Sequence, residues 1–144
     1  MIVYNAFDVK MPVFPKRKIS NWINLFASNY QKRVGDIAYI FCSDEKILEV
    51  NNEYLSHDYF TDIITFDYSE GATISGDMFI SMDTVRSNAE KYNVSCDLEL
   101  YRVMIHGILH LCGYEDNTKA KKKNMRKNED EALDLFIRLQ NDEI

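Results

Sequence analysis

The chain has 144 residues, 46% of them hydrophobic and 28% charged, with a formal net charge of -6. That size and balance suit one soluble domain spanning residues 1–144 and exclude a fibrous or disordered chain. No apolar run approaches the ~18 residues of a membrane span, and the acidic balance argues against broad, nonspecific nucleic-acid binding while leaving room for a local basic footprint. The start, MIVYNAFDVK, has no basic n-region and carries Asp8 early, so no secretory signal is expected. Cys42, Cys96 and Cys112 form no CxxC and are odd in number. They read as reduced thiols of a cytoplasmic protein.

In chain order, residues 2–7 (IVYNAF) read as a strand. Pro12 and Pro15 break the chain, and Ile19 to Tyr30 predicts a helix with Ile19, Trp22, Ile23, Leu25 and Phe26 inward. Gly35 and Asp36 suggest a turn before a buried strand, Ile37 to Cys42. Ser43, Asp44 and Glu45 have cap and first-turn chemistry for a second helix reaching about Leu55. Ile63 to Tyr68 and Met78 to Met82 read as two strands around a Gly-containing loop at Ser69–Gly76, and Asp83 then caps a short helix to about Tyr92. Ser95 starts a helix that is apolar on nearly every side from Leu98 to Cys112, the mark of a buried central helix. A last helix runs from about Thr118 to Leu139, basic first, then apolar on one face through Ala132, Leu133, Leu135, Phe136 and Leu139. The order β-α-β-α-β-β-α-α-α describes an α+β fold, with about five helices on a small mixed four-stranded sheet.

The central helix ends in HGILHLCGYED, which contains two of the chain's three histidines. Residues at i and i+4 are separated by about 6 Å of rise and about 40° of rotation, so His106 and His110 leave one face. Two imidazoles in a low-dielectric core each need a polar partner, and one divalent metal satisfies both. Gly113 can take the left-handed conformation that ends a helix and reverses the chain, bringing Asp116 back as a third ligand. Asp116 with Asn117 is also a reasonable cap for the next helix, and Glu115 is the rival carboxylate and the one candidate for a catalytic side chain beside the metal-bound water. Cys112 is placed about 200° around the helix from His110. The position after the first histidine is Gly107, so the glutamate base of an HExxH peptidase is missing. Glycine there leaves room for a bulky substrate or another backbone. Three protein ligands leave a position open, and a single Zn²⁺ per chain with water on it supplies a nucleophile near neutral pH.

HGILHLCGYED resembles the HGxLHLxGYDH signature of the YbeY family of metal-dependent endoribonucleases. NNEYLSHDYFTDIITF at Asn51–Phe66 is similar to the family's N-x-x-Y-R-G and T-D/N-V-L-S-F segments, Gly76–Ser81 to its G-D-I-x-I-S strand, and Met125, Arg126 and Glu129 to its M-R-x-x-E element. The resemblance covers nearly the whole chain. It implies an α+β fold and cleavage of single-stranded ribosomal RNA precursor, rather than DNA, in ribosome maturation and quality control, with the small ribosomal subunit and its proteins as partners. His106 and His110 match the first two family metal ligands, and Asp116 stands where the family has a third histidine. Leu55 stands where the family has an arginine implicated in activity, so His57 or a lysine would have to substitute. Under this reading Lys121, Lys122, Lys123 and Arg126 hold phosphates, and Tyr59, Phe60 and Tyr114 are candidates for base stacking, with core packing favoured for Phe60. The competing reading is a non-catalytic, metal-stabilised ribosome-assembly factor.

Overall fold

Alternating burial builds the sheet. In the computed structural model, which describes residues 1–55 and 61–141, β1 (Ile2–Ala6), β2 (Arg33–Cys42), β3 (Ile63–Asp67) and β4 (Thr73–Ser81) pair in the order β1-β2-β4-β3. β1 and β4 run parallel to β2, and β3 runs antiparallel to β4. Ile37, Tyr39 and Phe41 of β2 and Ile74, Met78 and Ile80 of β4 point to one face at period two, and all are buried. The opposite face carries a smaller cluster of Cys42, Ile47, Val50 and Ile64, closed by Phe66 and Phe79.

Five helices complete the expected order: α1 (Lys16–Asn29), α2 (Asp44–Leu55), α3 (Met82–Tyr92), α4 (Cys96–Leu111) and α5 (Lys119–Gln140). α2 covers the smaller cluster, and α1 and α4 pack on the main face. α4 is the central buried helix, with Leu100, Val103, Met104, Ile105, Ile108, Leu109 and Leu111 all inside. Two hydrogen bonds fix its surroundings. The Tyr39 hydroxyl of β2 donates to the Met104 carbonyl at 2.9 Å, and Trp22 Nε1 of α1 donates to the Ala132 carbonyl of α5 at 2.8 Å.

Several local expectations shift. Gly35 and Asp36 lie inside β2, where a register shift between Val34 and Ile37 absorbs them as a bulge rather than a turn. Gly76 lies inside β4, not in a loop, and is needed there because a Cβ would strike the Phe66 carbonyl of the neighbouring β3. Leu25 is exposed and Ala27 takes its place in the α1 stripe. The α3 cap is Ser81, whose side chain accepts from Thr84 N; Asp83 sits in the first turn and accepts from Asp44 N. Cys42, Cys96 and Cys112 are free thiols. Among the described residues no helix is long and apolar enough to cross a membrane.

Candidate metal centre

His106 and His110 project from the last two turns of α4, and their Nε2 atoms lie 2.9 Å apart. Gly113 has φ +99°, the positive-φ backbone that ends the helix and turns the chain. That turn carries the Asp116 carboxylate to 3.4 Å from His106 Nε2 and 3.8 Å from His110 Nε2. One ligand atom from each of the three residues falls within 4.8 Å of the others, and no other group of three such side chains among the described residues does so. The α5 cap is Thr118, whose side chain accepts from Lys121 N, so Asp116 is not needed for capping. Glu115 points elsewhere: it pairs with Lys121 at 2.8 Å, and that hydrogen bond and charge hold its carboxyl below the ordinary range.

The outer nitrogens settle the tautomers. His106 Nδ1 faces the Glu129 carboxylate at 2.6 Å, and His110 Nδ1 faces the Tyr114 carbonyl at 2.9 Å. Both partners only accept, so both Nδ1 atoms must donate. Each neutral ring then has a bare lone pair at Nε2, and the two lone pairs converge with a carboxylate. Such an arrangement is repulsive unless a proton or a cation lies among them. Ligands of a tetrahedral Zn²⁺ at about 2.0–2.1 Å sit roughly 3.4 Å from one another. One carboxylate distance matches that value and the other, at 3.8 Å, is slightly longer, while the histidine pair at 2.9 Å needs to open by about half an ångström. The donor set therefore fits a divalent metal.

The same geometry explains the titration of the pair. Burial disfavours the His106 imidazolium, but the hydrogen bond and charge of Glu129, with the charges of Asp62 and Asp116, outweigh burial and raise its pKa above the ordinary value. His110 is lowered, first by burial and then by the charge of His106.

Glu129 is held in turn. Arg102 donates to it at 3.0 Å and to Asp130 at 2.7 Å. The chain Arg102–Glu129–His106 spans α4 and α5, and sequence reasoning gave Glu129 and Arg102 no role. Glu129 did have a signal, its place in the M-R-x-x-E element.

Two clefts meet at His106 and Asp116. One, of about 560 Å³, is lined by Asn51, Leu55, Asp62, Thr65, His106, His110 and Asp116, among others. The other, of about 480 Å³, lies between α3, α4 and α5 and shares Asp62, His106 and Asp116. Asp62 stands at their junction, its carboxyl pushed up by burial against the opposing charge of His106.

The family model for the endoribonuclease YbeY matches residues 7–136. The chain belongs to the YbeY endoribonuclease family. It is similar to a YbeY endoribonuclease of Phocaeicola vulgatus, 59% identical over 136 residues that cover 94% of this chain and 99% of the relative. A second YbeY relative, from Parabacteroides distasonis, is 57% identical over 94% of this chain and 95% of its own length. A solution structure of a Thermotoga maritima protein superposes with a TM-score of 0.61 at 25% identity, covering 92% of this chain and 89% of that one. YbeY membership makes the protein a nuclease, a hydrolase of RNA phosphodiester bonds with a three-residue cluster suited to a metal.

The other site expectations fare unevenly. Lys122 and Arg126 line the second cleft beside His106 and Asp116. Lys121 lies in a separate depression with Gly113 and Glu115, and Lys123 in another with Asp130, Glu131 and Asp134. Tyr114 packs edge-on against Tyr30, and its carbonyl, not its ring, serves the site. Gly107 gives no room to substrate: it is buried, and a Cβ there would strike Met78 and come within 2.9 Å of Ile63. It lets α4 settle onto the sheet. His57, Tyr59 and Phe60 lie outside the described residues.

Proposed function

We propose that this YbeY protein is a metal-dependent endoribonuclease that cleaves single-stranded ribosomal RNA precursor in ribosome maturation and quality control. It is a single-domain cytoplasmic protein working with the small ribosomal subunit and its proteins. His106, His110 and Asp116 hold one Zn²⁺ per chain. The observation that carries this reading is the convergence of two bare imidazole nitrogens and a carboxylate whose outer partners are already fixed. When bound, the metal polarises a phosphoryl oxygen and acidifies water. Glu129 and the Tyr114 carbonyl keep both rings aimed. Of the basic group Lys121, Lys122, Lys123 and Arg126, the pair Lys122 and Arg126 holds phosphate, a role supported by their lining the cleft that reaches His106 and Asp116.

One observation favours a non-catalytic assembly factor instead: Leu55 lines the first cleft and brings no guanidinium to it. Arg126, entering from the opposite cleft, offers the same charge from another wall. The test is metal-dependent cleavage of a single-stranded ribosomal RNA fragment by the purified protein, with His110→Ala as control. Cleavage that needs both the metal and His110 supports the nuclease. Leu55→Arg then raises the rate if the cleft lacks a charge there. Tight RNA binding with no cleavage by wild type or Leu55→Arg favours the assembly factor.

A further inference from the structure

The second cleft contains more chemistry than phosphate binding uses. Glu99, in the first turn of α4, lines its interior and is only 6% exposed. Among the described residues its side chain has no hydrogen bond and no ion pair, and only the more distant charges of Arg102, Asp62, Arg126 and Glu129 act on it. Its oxygens are not sealed from water, so the carboxylate opens onto the cleft, where a ligand's donors rather than the protein's can meet it. Arg102 does not supply them, since Glu129 and Asp130 engage it.

The walls of the cleft suggest the donor's identity. Asn88 and Tyr92, one turn apart on α3, line one side, and Tyr92 is 52% exposed. Lys122 and Arg126, one turn apart on α5, line the other; both are exposed, and neither forms an ion pair with a described residue. A half-exposed aromatic ring, an amide and a free carboxylate facing two free cations make a compartment for one nucleotide: phosphate on the cations, base against the ring. His106 and Asp116 form its inner edge, so the nucleotide adjoins the phosphate to be cleaved.

We propose that this cleft is a base pocket that selects guanine next to the cleavage site, with Glu99 reading its Watson–Crick edge. This rests on the endoribonuclease reading. Guanine alone among the four bases presents two adjacent donors on that edge, N1–H and N2–H, which one carboxylate accepts together. Adenine and cytosine place an acceptor beside their amino group, and uracil flanks its single N–H with two carbonyls. Each would set a lone pair against the charge of Glu99. Asn88 provides a donor and an acceptor for the remaining base atoms.

The experiment uses the zinc-loaded protein and two nine-nucleotide uridine RNAs, one with a central guanosine and one with a central adenosine, made with 2′-O-methyl ribose to resist adventitious nucleases and confirmed intact by gel electrophoresis at the end of each titration. Fluorescence anisotropy should show the guanosine RNA bound about tenfold tighter, the scale of hydrogen bonds to a charged group. Glu99→Gln, nearly isosteric, should bring the two within twofold while leaving metal content and the circular dichroism spectrum unchanged. Lys122→Gln should weaken both RNAs equally. Equal affinity in the wild type, or a guanosine preference that survives Glu99→Gln, overturns the pocket. Metal-dependent cleavage of the ribose forms with no base preference refutes the pocket while leaving the nuclease intact. Failure to bind either RNA, together with no cleavage of their ribose forms, refutes both the pocket and single-stranded RNA as the substrate.

Discussion

Glu129→Gln should loosen the metal tenfold to a hundredfold without unfolding the protein. The side chain is 7% exposed and accepts two hydrogen bonds from charged or chargeable donors, His106 Nδ1 at 2.6 Å and Arg102 Nη1 at 3.0 Å. Glutamine has one acceptor oxygen for these two donors, and its amide group is itself a donor. If Arg102 takes the oxygen, the amide faces His106 Nδ1, which must then become the acceptor and move its proton to Nε2, where it blocks ligation. If His106 takes the oxygen, it keeps its tautomer but loses the adjacent charge, and charge-assisted bonds are about twice as strong as neutral ones. Loss of a partner outside the ligand shell typically costs 10–100-fold in metal affinity, or about 1.4–2.8 kcal/mol. The buried, short bond to His106 places this case in the upper part of that range. Competition with a chromophoric chelator for Zn²⁺ at pH 7.5 measures it. Asp130→Asn, which removes the 58% exposed partner of Arg102, should change affinity less than about threefold, because exposed pairs are screened. A Glu129→Gln protein whose Zn²⁺ affinity stays within threefold of wild type would refute the claim that Glu129 sets the His106 tautomer.

Asp116→Ala should weaken metal binding at least tenfold and Glu115→Ala should leave it unchanged, since only Asp116 reaches the imidazoles; Asp116→His should restore or tighten it, all by the same chelator assay. Lys122→Gln with Arg126→Gln should shallow the slope of log affinity against log salt for single-stranded RNA by about 1.4, the value for two lost phosphate contacts, whereas Lys121→Gln with Lys123→Gln should not change it. Burial raises the Glu99 carboxyl above its usual value of 4.5 in the folded protein, so the native state holds that proton more tightly than the unfolded chain and the charged form costs stability at neutral pH. Glu99→Gln should therefore raise the melting temperature at pH 7.5, and the gain should fade as the pH falls through the raised pKa toward 4.5; a gain that persists below pH 4 would mean packing, not charge, is responsible.

The three-residue cluster was legible because it is local. His106, His110, Gly113 and Asp116 span eleven residues, and helix geometry with one positive-φ glycine is enough to bring them together. Glu129 comes from another helix, and its approach to His106 depends on how α5 docks, which no spacing rule encodes. The basic run does not form one patch, for a geometric reason. Lys121, Lys122 and Lys123 are adjacent in sequence, but each step turns about 100° around α5, so they point into three different depressions. Gly107, Gly35 and Gly76 were misjudged for a related reason. A glycine in a sequence signals freedom or space, and whether a turn, a bulge or a packed neighbour uses that space is decided by tertiary contacts such as Met78 against Gly107.

The docking of α5 joins the two halves of the proposed function. Lys122, Arg126 and Glu129 stand at i, i+4 and i+7, a single stripe on one side of the helix. Two of these residues line the second cleft, and the third holds the His106 ring. Buried Met125, Ala132, Leu133 and Phe136, with the Trp22 hydrogen bond to the Ala132 carbonyl, lock the helix against the core. Because one rigid element carries both the phosphate cations and the imidazole anchor, the distance between bound phosphate and metal ligands is set by backbone geometry rather than by flexible loops. Asp116, by contrast, rides on the short turn between α4 and α5, so it is the one member of the three-residue cluster whose position depends on a loop.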